Sequence, residues 1–153
     1  MAEGDGTIFN GFKRYLMEGV FNLDASGDTL QLTLHTSYTP NIDTHVLFAD
    51  AGVSSTEYGT ADGYTAGGKV IASQLVTQDD GNDRGVFDAA DVTWTSLGAL
   101  SPATPSHTIL WDNTPATPLD PLIAYWDLGS TATNGGDFTI QWSTSPSAII
   151  LLT

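Results

Sequence analysis

Residues 29–35 read Thr-Leu-Gln-Leu-Thr-Leu-His, a pattern that predicts extended structure. The three leucines alternate with polar residues, so in a strand the leucines share one face and the polar side chains share the other. Period-two alternation predicts a half-buried β-strand. An acidic turn at 24–28 precedes this strand, and Pro40 closes it because proline cannot donate a hydrogen bond to a ladder.

Short β-branched and aromatic runs of the same kind recur along the chain, separated by Ser, Thr, Gly, Ala and Asp. Each run predicts a strand and each polar spacer predicts a turn. The further predicted strands are 70–77, 86–97, 108–111, 122–126, 138–142 and 148–152, with a hairpin tip at 78–85. About seven or eight strands without βαβ alternation predict a mainly β chain, folded as an antiparallel β-sandwich or barrel.

One segment near the N-terminus departs from the β pattern. Within 7–18, four apolar residues fall at spacings i, i+4, i+7 and i+8, which predicts one short helix. Thr7 is the expected cap and Gly19 the expected end. Gly11 in the middle disfavours the helix by roughly 1 kcal/mol relative to alanine.

Residues 49–69 contain five glycines and almost no large aliphatic residue. Such a segment cannot bury enough apolar area to form a core, so it predicts an extended loop or arm. Loops of this length are usually functional or disordered. Tyr58 and Tyr64 supply contact groups that a simple linker would lack, which favours a functional arm.

The chain has 153 residues, of which 41% are hydrophobic, and this fits a single β domain over 1–153 with a flexible N-terminus at 1–6. Eighteen acidic residues against four basic ones give a net charge of −14. Phosphate binding requires clustered Lys and Arg, so we expect no nucleic-acid partner. Without an apolar run of about 18 residues or a leader-like N-terminus, we also expect no membrane span and no export signal.

No arrangement of catalytic or metal-binding residues stands out. The acidic tip at 79–83 is interpreted as a solvated hairpin turn, because its adjacent aspartates diverge and the spacing of a calcium loop is absent. Three histidines, His35, His45 and His107, would form a metal site only if the fold brought them together. Neither a Gly-x-Ser-x-Gly elbow nor a cysteine occurs, while a carboxylate pair for glycoside hydrolysis stays open. We predict no enzyme, no cofactor and no metal.

The four tryptophans lie in apolar or alternating strands: Trp94, Trp111, Trp126 and Trp142. Such positions favour core packing over a sugar-stacking platform. A glycan-binding β module nevertheless remains an alternative function, because four tryptophans on an acidic chain could also form a stacking surface.

Several stretches carry a family resemblance: 10–11, 16–19, 37–45, 63–68, 87–94, 121–125 and 135–142. They span most of the chain, and the tyrosine-glycine segment at 63–68 and the Asp-Val-Thr-Trp segment at 91–94 are the most specific. In these stretches the chain resembles small virion structural proteins of tailed bacteriophages. The resemblance implies a non-enzymatic capsid decoration (cement) protein on the outside of the head, which clamps neighbouring major capsid subunits. A tail, neck or fibre component is the alternative within the same class.

The resemblance also implies self-association, often as trimers, and we predict a homotrimer made in the host cytoplasm and located on the virion surface. Strands 122–126 and 148–152 are apolar on both faces. A strand of this kind is either central in its sheet or covered by a neighbouring subunit.

The predicted capsid contacts lie in two glycine-containing segments, 2–14 and 49–69, that can order upon binding. The contact residues are four aromatic anchors and one basic pair: Phe9, Phe12, Tyr58, Tyr64, Lys13 and Arg14. For Phe12, packing of the short helix onto the sandwich is the alternative. If these segments are not the contacts, the hairpin tip at 79–84 is the next candidate.

Overall fold

The computed structural model describes residues 6–98, 100–129, 131–144 and 147–152. These residues are mainly β, with four antiparallel sheets and one α-helix near the N-terminus. The elements in chain order are β1 (Thr7–Ile8), α1 (Asn10–Met17), β2 (Leu30–His35), a 3₁₀ helix (Ser54–Thr56), β3 (Lys69–Val70), β4 (Leu75–Asp79), β5 (Arg84–Asp88), β6 (Val92–Trp94), β7 (His107–Asp112), β8 (Leu122–Asp127), β9 (Phe138–Ile140), β10 (Ser143–Thr144), β11 (Ser147–Ala148) and β12 (Ile150–Leu152). Over the described ranges no sheet closes into a barrel, so the fold is sandwich-like.

The main sheet has five strands in the order β1-β8-β7-β2-β3. β2 pairs with β7 over its whole length, from Leu30 opposite Asp112 to His35 opposite His107. β8 lies between β7 and β1, and a register shift interrupts the β7–β8 ladder beside Leu110. The strand with the clearest alternation in the sequence therefore lies inside the sheet.

One face of the main sheet packs into the core of the protein. The three leucines of β2 are fully buried on this face, as their alternation predicts. The same apolar cluster contains Phe87 and Ile150 from β5 and β12, and Trp94 and Phe138 from β6 and β9. The smaller sheets thus form the second layer of the sandwich.

The opposite face of the main sheet is buried as well, so the prediction of a half-buried β2 is wrong. Thr33 and His35, on the polar face of β2, are 0% exposed. The segment that follows β2 covers this face with Tyr38, Phe48 and Val53, which form a second apolar cluster. Polar side chains tolerate this position because their hydrogen bonds are made within the chain.

The predicted strand 122–126 corresponds to β8, and both of its apolar faces are covered by this chain. Leu122 packs beside Phe9 in the second cluster, whereas Ile123 and Trp126 belong to the main core. β8 is therefore central in its sheet, one of the two predicted alternatives. Because the chain itself covers β8, this strand gives no reason to expect a neighbouring subunit there.

The helix α1 begins later than predicted. Thr7 does not cap it; together with Ile8 it forms β1, which pairs with β8. The N-cap position is Phe9, without a side-chain cap hydrogen bond, and Gly19 ends the helix with φ of +73°. Gly11 is explained by close approach, because a Cβ there would lie 2.9 Å from Cγ1 of Val46.

A second sheet, here called the hairpin sheet, has the order β12-β5-β4. β4 and β5 are joined by the turn at 80–83, which confirms the predicted hairpin tip. The Nε atom of Arg84 donates to Oδ2 of Asp79 at 2.8 Å and closes the turn. The aspartates of this tip therefore stabilise a turn.

Residues 49–69 form the predicted long loop, but the loop packs onto the main sheet instead of extending from it. It contains the 3₁₀ helix and ends in β3, which pairs with β2. Gly68, with φ of +75°, lies so close to β2 that a Cβ would clash with the carbonyl oxygen of Leu32. Glycine is required there because the two backbones approach each other directly.

Candidate interaction surface

Phe9 and Phe12, two of the predicted contact residues, are both 0% exposed. Phe9 packs against Tyr125 with ring centroids 5.4 Å apart, and Phe12 packs against Phe21 at 4.8 Å. The alternative of a helix packed onto the sandwich therefore describes Phe12. Neither ring offers surface to a partner in this conformation, and residues 2–5 of the same segment lie outside the described residues.

The two predicted anchors of the loop, Tyr58 and Tyr64, are also buried, at 4% and 1% exposure. The hydroxyl of Tyr58 donates to the carbonyl oxygen of Pro102 at 2.6 Å. The hydroxyl of Tyr64 accepts from the backbone N–H of Leu34 at 3.1 Å and donates to Oε1 of Glu57 at 2.8 Å. The expectation of an exposed, reaching arm is therefore corrected: aromatic burial and satisfied hydroxyls hold the loop against β2.

Glu57 accepts hydrogen bonds from two later residues of the same loop and so holds its two halves together. Its Oε1 atom receives the Tyr64 hydroxyl and the backbone N–H of Gly67, the latter at 2.6 Å. Burial raises the pKa of Glu57, and these two hydrogen bonds act against that rise. A carboxylate held in this way has a structural role, because its Oε1 atom joins two points of the loop.

Lys13 and Arg14 are exposed on α1, as a contact role would need. The Nζ atom of Lys13 donates to Oδ1 of Asn10 at 3.3 Å. Arg14 lies 3.8 Å from Glu18 and stacks over the ring of Tyr15 at 4.1 Å. Both cations contact their own helix, and their exposure leaves them accessible to a partner.

All four tryptophans are buried, with exposures of 5% or less. Trp111 stacks on Phe48 at 4.5 Å, and Trp126 lies 5.1 Å from Trp142. Core packing, the favoured prediction, is therefore confirmed. The tryptophan platform on which a glycan-binding module would depend is not on the surface.

The fold brings the three histidines together around Tyr38, which the spacing in the sequence did not predict. The ring of Tyr38 lies 5.6 Å from His35 and 5.5 Å from both His45 and His107. The Tyr38 hydroxyl is 2.8 Å from Nδ1 of His45. Over the described residues, no group of three or more His, Cys, Asp or Glu side chains is arranged to hold a metal ion.

His35 is the buried member of this cluster. Its ring nitrogens lie 2.9 Å from the hydroxyl of Thr33 and 3.1 Å from that of Thr56. Burial, with a smaller contribution from His107, lowers the pKa of His35 to about 3. The imidazole is therefore neutral at ordinary pH and joins β2 to the loop through hydroxyl groups.

A pair of carboxyl groups, Asp28 and Asp112, lies where β2 begins and β7 ends. Asp112 is 0% exposed, and its Oδ1 atom accepts the N–H of Thr114 at 2.9 Å. Burial, together with the neighbouring Asp28, raises the pKa of Asp112 to about 7, against the lowering effect of the Thr114 N–H. The carboxylate of Asp28 is stabilised by the backbone N–H of Asn22, which donates to Oδ2 of Asp28 at 2.6 Å. The pair is built into the main sheet and does not line the groove described next.

The hairpin sheet borders an open groove of about 430 Å³. Leu16, Phe21 and Leu23 form one wall, and Val76 and Leu152 belong to the opposite wall. Val76 and Leu152 are 47% and 41% exposed, so the apolar lining reaches the surface. Met17 and Leu75, at 83% and 52%, are further exposed apolar side chains on α1 and β4.

The groove is the feature that sequence reasoning missed. The doubly apolar pattern of 148–152 was the only signal for it, and in β12 Ile150 is buried while Leu152 is 41% exposed. Gly85, in the middle strand, gave no signal at all, because a glycine beside a turn is usually explained by the turn.

No protein-family model, curated protein or solved structure matches this chain. Among the described residues, no helix has the length and apolar character needed to cross a bilayer. Function is therefore inferred from the surface itself and from the resemblance of the sequence segments.

Proposed function

We propose that this chain is a non-enzymatic virion structural protein of a tailed bacteriophage. Its role is that of a capsid decoration (cement) protein, which binds the outside of the head and clamps major capsid subunits. The open groove of the hairpin sheet is the observation that supports this proposal most. Exposed apolar surface continuous with a groove is typical of a site for a protein partner.

The buried polar clusters support a structural role. His35, Asp112 and Glu57 carry the altered pKa values that often mark active sites. His35 and Glu57 are instead hydrogen-bonded to groups of this chain. Asp112 accepts the N–H of Thr114 through Oδ1, while its buried Oδ2 has no hydrogen-bond partner in the part of the chain that the structure describes. The chemistry-bearing side chains are thus used to fix loops on a β scaffold.

The charge of the chain is consistent with a protein partner of opposite sign. With a net charge of −14, the surface attracts basic segments and repels acidic ones over distances set by the ionic strength. Steering of this kind mainly raises the rate of association. A lattice that presents the same basic segment many times would also add avidity.

Cryo-electron microscopy of virions of the phage that encodes the chain tests the proposal. We expect density with the size and sandwich shape of this domain on the outside of the head, at repeated contacts between major capsid subunits. Density on the tail or neck, with none on the head, would replace decoration by the alternative role. Virions that lack the chain altogether would overturn both.

The homotrimer is part of the same proposal and is measured separately. Sedimentation at micromolar concentration should give about three times the monomer mass, or the trimer should form on the head only. Isolated single copies on the virion, together with a monomer in solution, would contradict it.

A further inference from the structure

The wall of the groove that is formed by the hairpin sheet contains a glycine, Gly85, and therefore lacks a side chain at one position. Gly85 lies between Gln78 of β4 and Leu152 of β12, and the neighbouring row consists of Val76, Phe87 and Ile150. Residues directly opposite each other share a face, and residues two apart along a strand share it too. Gly85 therefore belongs to the inward face, where it contributes no side chain.

The space over Gly85 is open. A Cβ built on this residue would meet Cβ of Leu152 at 4.0 Å and nothing closer outside its chain neighbours. Gly85, Val76 and Leu152 all line the groove, whose far wall is formed by Leu16 and Phe21. The shape is thus a pocket with apolar walls, and its volume lies in the range of roughly 300–1,000 Å³ of ordinary binding sites.

The rim of the groove is acidic. Asp24 lies in its lining, and the turn beside Gly85 contains Asp80 and Asp83. Arg84, which precedes Gly85 in the chain, is already paired with Asp79 at 2.8 Å. An occupant of this groove is therefore favoured if its polar flanks are positively charged.

A second copy of this chain is a poor occupant of the groove. Its one adjacent basic pair is Lys13 and Arg14, and Phe12, the large apolar side chain that precedes this pair, is fully buried. Basic residues that flank one large apolar side chain satisfy both the walls and the rim. Such anchors in a pocket commonly supply most of the binding energy of an interface.

We infer that the groove over Gly85 binds a basic segment of the major capsid protein, which inserts one large apolar side chain between α1 and the hairpin sheet. The identity of the partner rests on the proposed function. The chemistry of the segment rests on the groove alone, namely the gap over Gly85, the apolar walls and the acidic rim.

A peptide experiment tests the chemistry. The probe is the capped peptide Lys-Lys-Trp-Lys-Lys, titrated into isotope-labelled protein and followed by the amide signals of Val76, Gly85 and Phe87. We expect saturable shifts at these amides. The dissociation constant obtained from them should rise at least about tenfold when Trp is replaced by Ala or when the four Lys are replaced by Glu. Equal shifts with all three peptides, or shifts elsewhere only, would overturn the inference.

Gly85→Leu fills the gap, and Gly59→Leu is the matched control because Gly59 is exposed and has no atom near its added Cβ. We expect Gly85→Leu to weaken peptide binding at least about tenfold and Gly59→Leu to leave it unchanged. If Gly85→Leu fails to fold, Val76→Lys provides the same test, since Val76 is 47% exposed and the new charge repels the peptide. Unchanged binding in the folded variants would contradict the inference.

Binding to undecorated heads separates this inference from the proposed function. If wild-type protein and Gly85→Leu occupy heads equally, the groove is not the contact although decoration stands. If the peptide binds and the heads do not, the chemistry of the groove stands and decoration fails. Loss of the oligomer in Gly85→Leu, with peptide binding retained, would assign the groove to contacts between copies and overturn the inference.

Discussion

The main sheet and the hairpin sheet are both antiparallel and both contribute to the same core, but they differ in how they are covered. The inner strands of the main sheet, β2, β7 and β8, are buried on both faces, because the segment after β2 packs its own apolar cluster on the outer side. In the hairpin sheet, β4 is exposed over most of its length, and the inward face ends in a groove. One sheet is completed by its own chain, and the other is left open.

Because of this difference, we expect the main sheet to contribute mostly to stability and the hairpin sheet to be available for binding a partner. A sheet covered on both sides excludes water from its ladder and from its polar side chains, so its residues should contribute most of the free energy of unfolding. An open edge with exposed apolar residues contributes little to stability and is a liability unless a partner covers it. Substitutions in the two sheets should therefore have clearly different effects.

Leucine truncation is the test with the largest expected effect. Leu32 is fully buried in the main sheet, so Leu32→Ala should lower the free energy of unfolding of the protein by about 3 kcal/mol. Leu152→Ala is the matched change in the hairpin sheet and should cost about 1 kcal/mol or less, because Leu152 is 41% exposed. Urea unfolding followed by tryptophan fluorescence measures both. Equal losses would break the comparison.

Glycine substitution follows in size. Gly68→Ala places a Cβ against the carbonyl oxygen of Leu32 at a positive φ, which should destabilise the protein by at least about 2 kcal/mol. Gly85→Ala adds a Cβ in open space within a strand and should leave stability unchanged or raise it by roughly 0.5–1 kcal/mol. Thermal unfolding of the two variants gives the contrast. A costly Gly85→Ala would mean that the groove is closed in solution.

The pH dependence of Asp112→Asn sharpens the comparison. The folded-state pKa of Asp112 is raised to about 7, so its stabilising contribution is present below the unfolded value of 3.8 and is lost as the pH rises towards 7. Asp112→Asn lacks this loss and should be more stable than wild type by at least about 1 kcal/mol at pH 7.5, with a smaller difference at pH 4. Asp80→Asn, at the exposed hairpin tip, is the control. A constant difference at all pH values would contradict the assignment.

The smallest expected effect concerns the hydroxyl that holds the long loop. Tyr64→Phe removes the group that accepts from Leu34 and donates to Glu57, which should cost about 1 kcal/mol. Tyr15→Phe removes a hydroxyl from a partly exposed ring on α1 and is the matched control. Hydrogen exchange of the Leu34 amide, faster in Tyr64→Phe only, would locate the effect. Equal exchange in both variants would show that the loop is held by apolar contacts alone.

The sequence by itself determined the features that depend on neighbours along the chain. Alternation in 29–35 predicted a strand with buried leucines, and the polar run at 78–85 predicted a hairpin tip, because both signals lie within a few residues. Helical spacing predicted α1 and Gly19 marked its end. The mainly β, antiparallel class follows from the number of such local signals.

Only the tertiary structure decided what covers each strand. The polar face of β2 is buried because Tyr38 and Val53 fold back over it, and no period in β2 records that cover. Thr7 pairs with Tyr125 of β8 and does not cap α1. The two residues are more than a hundred positions apart in the chain, so no local pattern predicts this pairing. The groove over Gly85 likewise exists because three distant segments meet beside a residue without a side chain. A local pattern predicts which face of a strand is apolar, but the segments that cover the other face are set by long-range contacts that the pattern does not record.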